Sequence, residues 1–283
     1  MKINSSTTMI CLLGHPIKHS FSPTIHNYLF EKYLKNSIYV CFDVKEEDLS
    51  ESVLGIKALG IKGCNVTIPH KVNITKYLDS IDENTKLIGA VNTIKNEGGV
   101  LKGYNTDGRG FVKSILDKGY KIKDKKIMII GAGGACRSIA IELASIGAES
   151  IEIRNRSLEK ANEIVESIKN NFKTIVSCSR NTIEKSCLED IDILINTTPL
   201  GMENDLCPIN TEIVVNKKML VCDIVYKPNE TVFLKWAKTN NLDVVYGIDM
   251  LINQALEAFY IWTGVNTCSD DFKHIKKLYK EIN

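Results

Sequence analysis

Short apolar runs rich in β-branched residues alternate along this chain with longer stretches in which apolar residues recur every three or four positions. The first pattern is typical of buried strands and the second of amphipathic helices, so their alternation predicts parallel strands joined by crossover helices. The predicted strands cover residues 10–13, 38–44, 63–68, 90–95, 125–130, 150–154, 173–178 and 191–196. The fold class is therefore α/β.

Helix starts are predicted at two places in the first half of the chain. Ser22 precedes Pro23, which favours a helix with Ser22 as its N-cap and a proline at the first helical position. A second helix is predicted over residues 49–59. The sharpest new beginning is the strand at 125–130, entered from the charged turn at 121–124, and it places a domain boundary a little earlier, near residue 108.

Composition narrows the class of partner. The 283 residues suffice for two modest domains with a ligand cleft between them. The chain has 36 Lys and Arg against 34 Asp and Glu, spread without a basic run, so nucleic acid and membrane surfaces are not expected as partners. No apolar run approaches the roughly 20 residues of a spanning helix, and the first residues do not resemble a signal peptide, so we expect a cytoplasmic protein.

Neither the cysteines nor the histidines predict a metal site. The nine cysteines are scattered without a Cys-x-x-Cys motif, and several lie in strand-like runs, which indicates reduced core side chains. His15 and His19 have the spacing of a helical ligand pair, but Pro16 lies between them, so no metal is expected.

A glycine-rich turn follows the strand at 125–130 and precedes an apolar-periodic helix. In this context Gly131 would permit a tight turn, Gly133 would let the backbone approach a pyrophosphate, and the helix N-terminus would face the phosphates. The sixth position of the usual glycine pattern is Cys136. An ordinary glycine-rich turn therefore stays an open alternative.

The end of the second strand of this half indicates which nucleotide binds. Sites that prefer NAD usually carry an acid there for the ribose 2′-hydroxyl. This chain instead carries Asn155, Arg156 and Ser157, with Lys160 one turn later. Cations and a hydroxyl suit a 2′-phosphate, so NADP is the predicted cofactor, although a solvated basic strand end would look the same.

Two polar loops in the first half each carry one strong proton-handling group. Lys71 follows the run Asn65-Val66-Thr67-Ile68-Pro69, and Asp107 closes the run Gly103-Tyr104-Asn105-Thr106. A lysine and an aspartate beside a dinucleotide can move a proton while the cofactor moves a hydride. Both runs are also ordinary turn sequences, and a solvated lysine is the commonest alternative.

These motifs, taken in order over residues 12–264, resemble the shikimate dehydrogenase family. The matching runs are Gly14-His15-Pro16-Ile17, Ser20-Phe21-Ser22-Pro23, Asn65-Val66-Thr67-x-Pro69-x-Lys71, Gly89-Ala90-Val91-Asn92-Thr93, Asn105-Thr106-Asp107-Gly108, Gly131 to Ala135, Asn155-Arg156-Ser157, Asn196 to Met202, Asp223-x-x-Tyr226-x-Pro228 and Gly247-x-x-Met250-Leu251-x-x-Gln254. The resemblance implies reversible NADP-linked reduction of 3-dehydroshikimate to shikimate, a step of chorismate and aromatic amino-acid biosynthesis. It also implies a substrate domain at 1–107, a Rossmann-like doubly wound NADP domain at 108–246, and C-terminal helices at 247–283 that complete the substrate domain.

The resemblance carries functional roles over to individual residues. Lys71 and Asp107 would be catalytic and flank the carbon that changes oxidation state. The substrate carboxylate would be held by Ser20, Ser22 and Tyr226, and the ring hydroxyls by Asn65, Thr67, Asn92 and Gln254. Cofactor contacts would come from Gly131, Ala132, Gly133, Gly134, Ala135, Asn155, Arg156, Ser157, Lys160, Thr197, Thr198, Met202 and Gly247.

Some alternatives stay open at this point. Lys71 could pass the proton alone or as a pair with Asp107, Ser22 could serve only as a helix cap, and Tyr226 could be core edge. Lys160 stands where an arginine is common in the family, so NADP preference need not be strict. Rival functions are a quinate/shikimate dehydrogenase with relaxed cofactor use, a non-catalytic NADP-binding regulatory protein, and another two-domain NADP dehydrogenase such as a methylene-tetrahydrofolate enzyme. A monomer and a homodimer are both compatible with the sequence.

Overall fold

The computed structural model describes residues 3–18 and 20–282. The chain divides into two compact units, the first formed by Met1–Thr106 with Gln254–Asn283 and the second by Asp107–Asn253. His19, one half of the histidine pair considered above, lies outside the described residues. No helix in the described part of the chain is both long enough and apolar enough to cross a membrane.

The first unit is built on a mixed six-stranded sheet. Its elements up to residue 104 are β1 (Thr8–Gly14), α1 (Ser22–Lys32), β2 (Ser37–Asp43), α2 (Leu49–Ala58), β3 (Gly63–Val66), β4 (Ser80–Ile81), α3 (Glu83–Ile88), β5 (Thr93–Glu97) and β6 (Val100–Tyr104), with short 3-10 turns at Glu46–Asp48 and Asn73–Tyr77. The strand order is β2-β1-β3-β5-β6-β4. β1 pairs in parallel with both β2 and β3, whereas β5 runs antiparallel to β3 and β6.

The second unit is a parallel sheet wound in both directions from its centre. Its elements are α4 (Asp107–Asp117), β7 (Lys126–Ile130), α5 (Gly134–Ser145), β8 (Ser150–Arg154), α6 (Leu158–Asn171), β9 (Ile175–Ser179), α7 (Lys185–Leu188), β10 (Ile193–Asn196), β11 (Leu220–Asp223), α8 (Val232–Thr239) and β12 (Asp243–Val245). The strand order is β12-β11-β10-β7-β8-β9. The direction of winding reverses between β7 and β10, which is where ligands bind in sheets of this kind.

Two helices close the chain, α9 (Gly247–Thr263) and α10 (Ser269–Ile282). Within the first unit, α10 is fixed to α1 through the buried carboxylate of Asp271. Its oxygens lie 2.5 Å from Lys32 Nζ and accept hydrogen bonds from the Tyr33 hydroxyl at 2.6 Å and the Cys268 amide at 2.8 Å. Burial alone would raise the pKa of Asp271, but these donors outweigh it and lower the pKa to about 2.

The α/β fold with a doubly wound second sheet is confirmed, and the structure differs from the sequence-based prediction in three respects. Ser22 is the first helical residue; Phe21 is the N-cap, with no side-chain cap bond, so the cap interpretation of Ser22 is wrong. β5 and β6 form an antiparallel hairpin, because Gly98 and Gly99 both adopt positive φ and reverse the chain. Four strands, β4, β6, β11 and β12, lie outside the predicted strand ranges.

The cysteines are free thiols. All nine lack a disulfide, and Cys11, Cys64, Cys136 and Cys222 are buried in the two cores. Burial raises the pKa of Cys136 to about 12, so this thiol is a small core side chain and not a nucleophile.

Candidate active site

Three segments of the first unit meet at one edge of its sheet. β3 ends at Val66, β5 begins at Thr93 and runs antiparallel to it, and β6 ends at Tyr104. The segments are joined there by two backbone hydrogen bonds, Val66 N–H to the Asn92 carbonyl at 2.9 Å and Asn92 N–H to the Tyr104 carbonyl at 3.0 Å. The polar residues that follow or precede these strands are thereby gathered in one place.

Buried amides and hydroxyls form a network at this edge. Asn92 donates through Nδ2 to Thr106 Oγ1 at 3.0 Å, and its Oδ1 accepts from the Thr106 amide at 2.8 Å. Thr106 Oγ1 lies 3.4 Å from Gln254 Oε1, which brings the C-terminal helix into the network. Asn65 and Asn92 are both almost fully buried. Buried amides that are already bonded have fixed orientations, which is what recognition of a polyhydroxylated ring requires.

The serine loop lies beside the loop that follows β3. Ser20 Oγ accepts a hydrogen bond from the Ser22 amide at 3.3 Å, and both serines are half-buried. Backbone hydrogen bonds join the two loops, with His15 N–H donating to the Ile68 carbonyl at 2.9 Å. The approach is close enough that a Cβ at Gly14 would lie 2.3 Å from Thr67 Cγ2. The loop that carries Ser20 and Ser22 therefore begins beside Thr67.

Lys71 follows β3 in a turn that is anchored on both sides. Its carbonyl accepts a hydrogen bond from Val91 N–H at 2.8 Å. The preceding residue, His70, is fully buried, and its Nε2 lies 2.7 Å from the Val44 carbonyl. The Lys71 side chain is half-buried. The histidine beside the predicted catalytic lysine is thus a structural anchor for the turn.

Two predicted substrate residues belong to the second unit. Asp107 is the first residue of α4 and follows Thr106 directly in the chain. Tyr226 lies in the segment after β11 and is 39% exposed, so it is not a core-edge residue. The other predicted substrate residues, Ser20, Ser22, Asn65, Thr67, Lys71, Asn92 and Gln254, all lie in the first unit.

The glycine turn connects β7 to α5 at the point where the winding reverses. Gly131 has φ +109°, and a Cβ there would lie 2.6 Å from Thr197 Oγ1, so this position requires glycine for the fold itself. Gly133 is different: it is the N-cap of α5 with φ −87°, and a Cβ built on it or on Gly134 meets no atom within 4 Å. Internal packing leaves open space in front of this helix N-terminus, as the approach of a pyrophosphate requires. Ala132 and Ala135 complete the turn.

The end of β10 supports the turn from the other side. Thr197 donates from both its amide and its hydroxyl to the Ile130 carbonyl, each at 2.8 Å. Asn196 Oδ1 accepts from the amide of Thr198 at 3.0 Å and from its hydroxyl at 2.7 Å. Met202, further along the loop, is 46% exposed. The end of β10, which was predicted to contact the cofactor, is therefore held at Thr197 by the backbone of β7 and at Thr198 by the side chain of Asn196.

A buried aspartate orders the far side of the same edge. Asp223 accepts from Asn196 Nδ2 at 3.0 Å and from the Thr231 hydroxyl at 2.6 Å, and burial raises its pKa. Gly247 has a packing reason to be glycine, because a Cβ there would lie 2.4 Å from the Val225 carbonyl.

The end of β8 presents two exposed cations. Asn155 turns the chain by donating through Nδ2 to the Ser157 carbonyl at 2.8 Å, and the side chains of Arg156 and Lys160 are exposed. Arg154 is engaged within the protein, with Nη2 2.9 Å from Glu152 Oε1. Arg156, Ser157 and Lys160 are consequently the groups at this strand end that could bind a 2′-phosphate.

Sequence reasoning did not single out several residues that support the substrate edge. Thr93 and Thr106 lie inside the matched motifs, whereas Tyr39 and His26 lie outside them. In the structure, the Tyr39 hydroxyl donates to Asn65 Oδ1 at 2.7 Å, and His26 stacks on the Tyr39 ring. Only the β-branched run of β2 signalled that Tyr39 is buried, and nothing in the run indicates its partner.

A parallel sheet that reverses its winding beside a glycine turn, with cations at its second strand end, defines a dinucleotide-binding unit. A separate unit that gathers buried amides, hydroxyls and a lysine supplies a site for a small polar substrate. Within the described residues no group of three or more His, Cys, Asp and Glu is placed to hold a metal ion. This combination defines the class of two-unit, nicotinamide-nucleotide-dependent oxidoreductases.

Comparison with known families identifies which member of this class the chain resembles. Residues 12–94 match the shikimate dehydrogenase substrate binding domain, residues 111–226 match the shikimate / quinate 5-dehydrogenase family, and residues 247–266 match the shikimate 5′-dehydrogenase C-terminal domain. The chain belongs to the shikimate dehydrogenase family.

Individual relatives agree with the family match over nearly the whole chain. A shikimate dehydrogenase (NADP(+)) from Caldanaerobacter subterraneus is 49% identical over 267 residues, which is 93% of this chain and 94% of the relative. A crystal structure of shikimate 5-dehydrogenase from Listeria monocytogenes, in complex with shikimate and NAD, superposes with a TM-score of 0.92 at 33% identity and covers 99% of this chain and 98% of its own. A shikimate dehydrogenase in complex with NADP+ has a TM-score of 0.90 at 44% identity, covering 97% and 96%.

Proposed function

We propose that this protein catalyses the reversible NADP-linked reduction of 3-dehydroshikimate to shikimate. The observation that carries the proposal is the network of buried amides and hydroxyls around Asn65, Asn92 and Thr106, which lies next to the Lys71 turn in the first unit. Family membership supports it, as do relatives named shikimate dehydrogenase (NADP(+)) at 49% and 48% identity.

The second unit holds the cofactor in this proposal. The pyrophosphate lies at the N-terminus of α5, where the backbone of Gly131 to Ala135 provides space and amide donors. Arg156, Ser157 and Lys160 bind the 2′-phosphate, with Asn155 shaping the turn, and Thr197, Thr198, Met202 and Gly247 lie along the remaining cofactor path. The bound nucleotide supplies the hydride.

The first unit holds most of the substrate. Hydroxyl donors at Ser20 and Ser22, joined by Tyr226, bind the carboxylate through charge-assisted hydrogen bonds, which are roughly twice as strong as neutral ones. The amides of Asn65, Asn92 and Gln254 and the hydroxyl of Thr67 bind the ring hydroxyls. Small anions with several hydroxyl groups are the substrates that such a set of groups recognises.

Lys71 handles the proton. During reduction, negative charge develops on the ketone oxygen, and a neighbouring ammonium stabilises that charge and donates the proton. Positioned acid-base catalysis of this kind contributes about 10²–10⁴-fold to the rate. Asp107 orients the ammonium and the substrate hydroxyl, so that the proton moves either from Lys71 alone or from the Lys71/Asp107 pair titrating together.

A broader specificity is the second candidate. The family matched by residues 111–226 is described as shikimate / quinate 5-dehydrogenase, and the Listeria relative was crystallised with NAD. In this candidate the protein also reduces 3-dehydroquinate and accepts NADH.

The test uses purified protein in four mixtures, 3-dehydroshikimate or 3-dehydroquinate, each with NADPH or NADH. We expect the fastest turnover with 3-dehydroshikimate and NADPH. Comparable rates with 3-dehydroquinate would establish the broader specificity, and absence of turnover in all four mixtures would defeat the enzyme proposal.

We further infer a cytoplasmic location, in keeping with nine free cysteines, and a monomer or homodimer in solution.

A further inference from the structure

The side-chain amide of Asn65 has only one orientation that satisfies its neighbours. One of its terminal atoms lies 3.1 Å from the Asn92 carbonyl and 3.0 Å from Thr93 Oγ1. A backbone carbonyl can only accept, so the atom that faces it is the NH₂ group. The amide oxygen therefore points the other way, toward the Tyr39 hydroxyl 2.7 Å distant.

The hydrogen-bonding capacity of Asn65 is consequently almost exhausted within the protein. Both Nδ2 hydrogens are used, one on the Asn92 carbonyl and one on Thr93 Oγ1, whose own hydrogen goes to Asn92 Oδ1 at 3.0 Å. The amide oxygen has two lone pairs, of which the Tyr39 hydroxyl takes one. His26 is the other polar side chain next to Asn65, but neither of its ring nitrogens has a hydrogen-bond partner among the described residues, so the second lone pair can accept one more hydrogen bond.

Neighbouring side chains hold both the backbone and the ring of Tyr39. The Asn27 side chain clamps its peptide, donating to its carbonyl at 3.0 Å and accepting from its amide at 2.8 Å. Its ring stacks on His26 with centroids 4.5 Å apart, and Trp262 packs against both rings. Trp262 fits there because a Cβ at Gly63 would lie 2.5 Å from its Nε1.

The Tyr39 hydroxyl also keeps its proton. Burial raises the pKa of Tyr39 well above its ordinary value, with the Ser22 hydroxyl opposing this as a smaller effect. The hydroxyl is thus a neutral donor, positioned between the serine that would bind the substrate carboxylate and the amide that would bind a ring hydroxyl.

We propose that Tyr39 is a positioning residue that fixes Asn65 as a hydrogen-bond acceptor in the substrate site, so that the ring oxygen facing Asn65 must be a hydroxyl donor. This inference rests on the proposed function, because it assumes that Asn65 contacts the substrate. A ketone or ether oxygen at that ring position would meet the Asn65 oxygen without a hydrogen between them. Tyr39 thereby sets specificity without touching the substrate.

The test compares Tyr39→Phe with the matched control Tyr33→Phe. The control also removes a phenol donor from the first unit, but the Tyr33 hydroxyl donates to Asp271, which is not a predicted substrate residue. Loss of one neutral hydrogen bond changes an equilibrium roughly three- to tenfold. We therefore expect Tyr39→Phe to raise the shikimate KM about three- to tenfold, with kcat and the NADP+ KM within about twofold. Tyr33→Phe should lower thermal stability and leave the shikimate KM within about twofold. A shikimate KM in Tyr39→Phe within twofold of wild type would overturn the proposal.

Substrate analogues distinguish positioning from general loosening of the fold. Each shikimate analogue lacks one ring hydroxyl. The variant Asn65→Ala identifies the hydroxyl that faces Asn65, because the analogue without that hydroxyl binds this variant as well as it binds the wild type. The Tyr39→Phe penalty should shrink for that analogue alone, whereas an equal penalty for every analogue would indicate only a loosened site.

A measurement on the wild-type enzyme holds even if Tyr39→Phe does not fold. At the ring position facing Asn65, replacing hydroxyl by fluorine keeps a weak acceptor and removes the donor. The fluoro analogue should bind no better than the deoxy analogue, and tighter binding of the fluoro analogue would refute the acceptor assignment. If wild-type protein does not oxidise shikimate at all, the proposed function fails, and that outcome is read from the wild type alone.

Discussion

The two central glycines of the β7–α5 turn should separate fold stability from cofactor binding. Gly131→Ala places a methyl group 2.6 Å from Thr197 Oγ1 on a residue with φ +109°. Backbone strain of this kind costs about 1–3 kcal/mol, and overpacking adds about 1–3 kcal/mol. Gly131→Ala should therefore lose about 2–6 kcal/mol of the free energy of unfolding.

Gly133→Ala should leave the fold almost unchanged. Its backbone, at φ −87° and ψ −173°, suits any residue, and no atom lies within 4 Å of the added methyl group. Alanine is a poorer N-cap than glycine by up to about 1 kcal/mol, while reduced freedom of the unfolded chain offsets about 0.4–1 kcal/mol. The net change in stability should stay within about 1 kcal/mol.

Gly133→Ala should weaken NADPH binding although it leaves the stability of the fold almost unchanged. The methyl group would occupy the space in which the pyrophosphate approaches the backbone, so the NADPH KM should rise at least about tenfold, equivalent to about 1.4 kcal/mol. Thermal unfolding and NADPH titrations of both variants provide the measurement, with Gly133→Ala unfolding near the wild-type temperature. A Gly133→Ala enzyme with a wild-type NADPH KM would refute the reasoning.

Three further predictions concern other parts of the protein. Lys71→Ala should cut kcat by orders of magnitude and leave shikimate affinity within a few-fold, because the lysine acts mainly in the transition state; a large KM rise at unchanged kcat would make it a binding group. Arg156→Ala should raise the NADPH KM far more than the NADH KM, and equal effects would remove Arg156 from 2′-phosphate recognition. Asp271 has a folded-state pKa of about 2, below its unfolded value of about 3.9, so its ionised form stabilises the fold above about pH 4 and loses that contribution as the pH falls toward 2. Asp271→Asn should therefore be less stable at neutral pH and lose less further stability in acid, measured by denaturant unfolding across pH; an acid loss equal to wild type would contradict this.

Much of the fold could be predicted because its signals are local. The apolar run of β7, its glycine turn and the helix after it follow one another in sequence, so their structure could be inferred without knowing any distant contact. The apolar pattern does not predict β6, because Lys102 and Gly103 interrupt it, and only the glycine pair Gly98 and Gly99 indicates a turn before this strand.

The candidate site was predictable as a set of residues and not as an arrangement. Nothing in the run around Asn65 indicates that both hydrogens of its amide are used within the protein, since its partners Asn92 and Thr93 are 27 and 28 residues away. The role of Ser22 was misjudged for a related reason, because serine before proline satisfies the local rule for a cap while the backbone begins its helix one residue earlier.

The discontinuity of the first unit has a consequence for how the protein is made. Residues 3–106 are synthesised before Asp107–Asn253, yet Trp262, which packs against His26 and Tyr39 and donates to the Ile94 carbonyl at 2.9 Å, is synthesised after both segments. Asp107–Asn253 is uninterrupted and can fold while the chain is still being synthesised. The first unit is therefore completed only after the second has been synthesised, and a nascent chain stopped before α9 would carry the substrate residues of the sheet without the tryptophan that supports them.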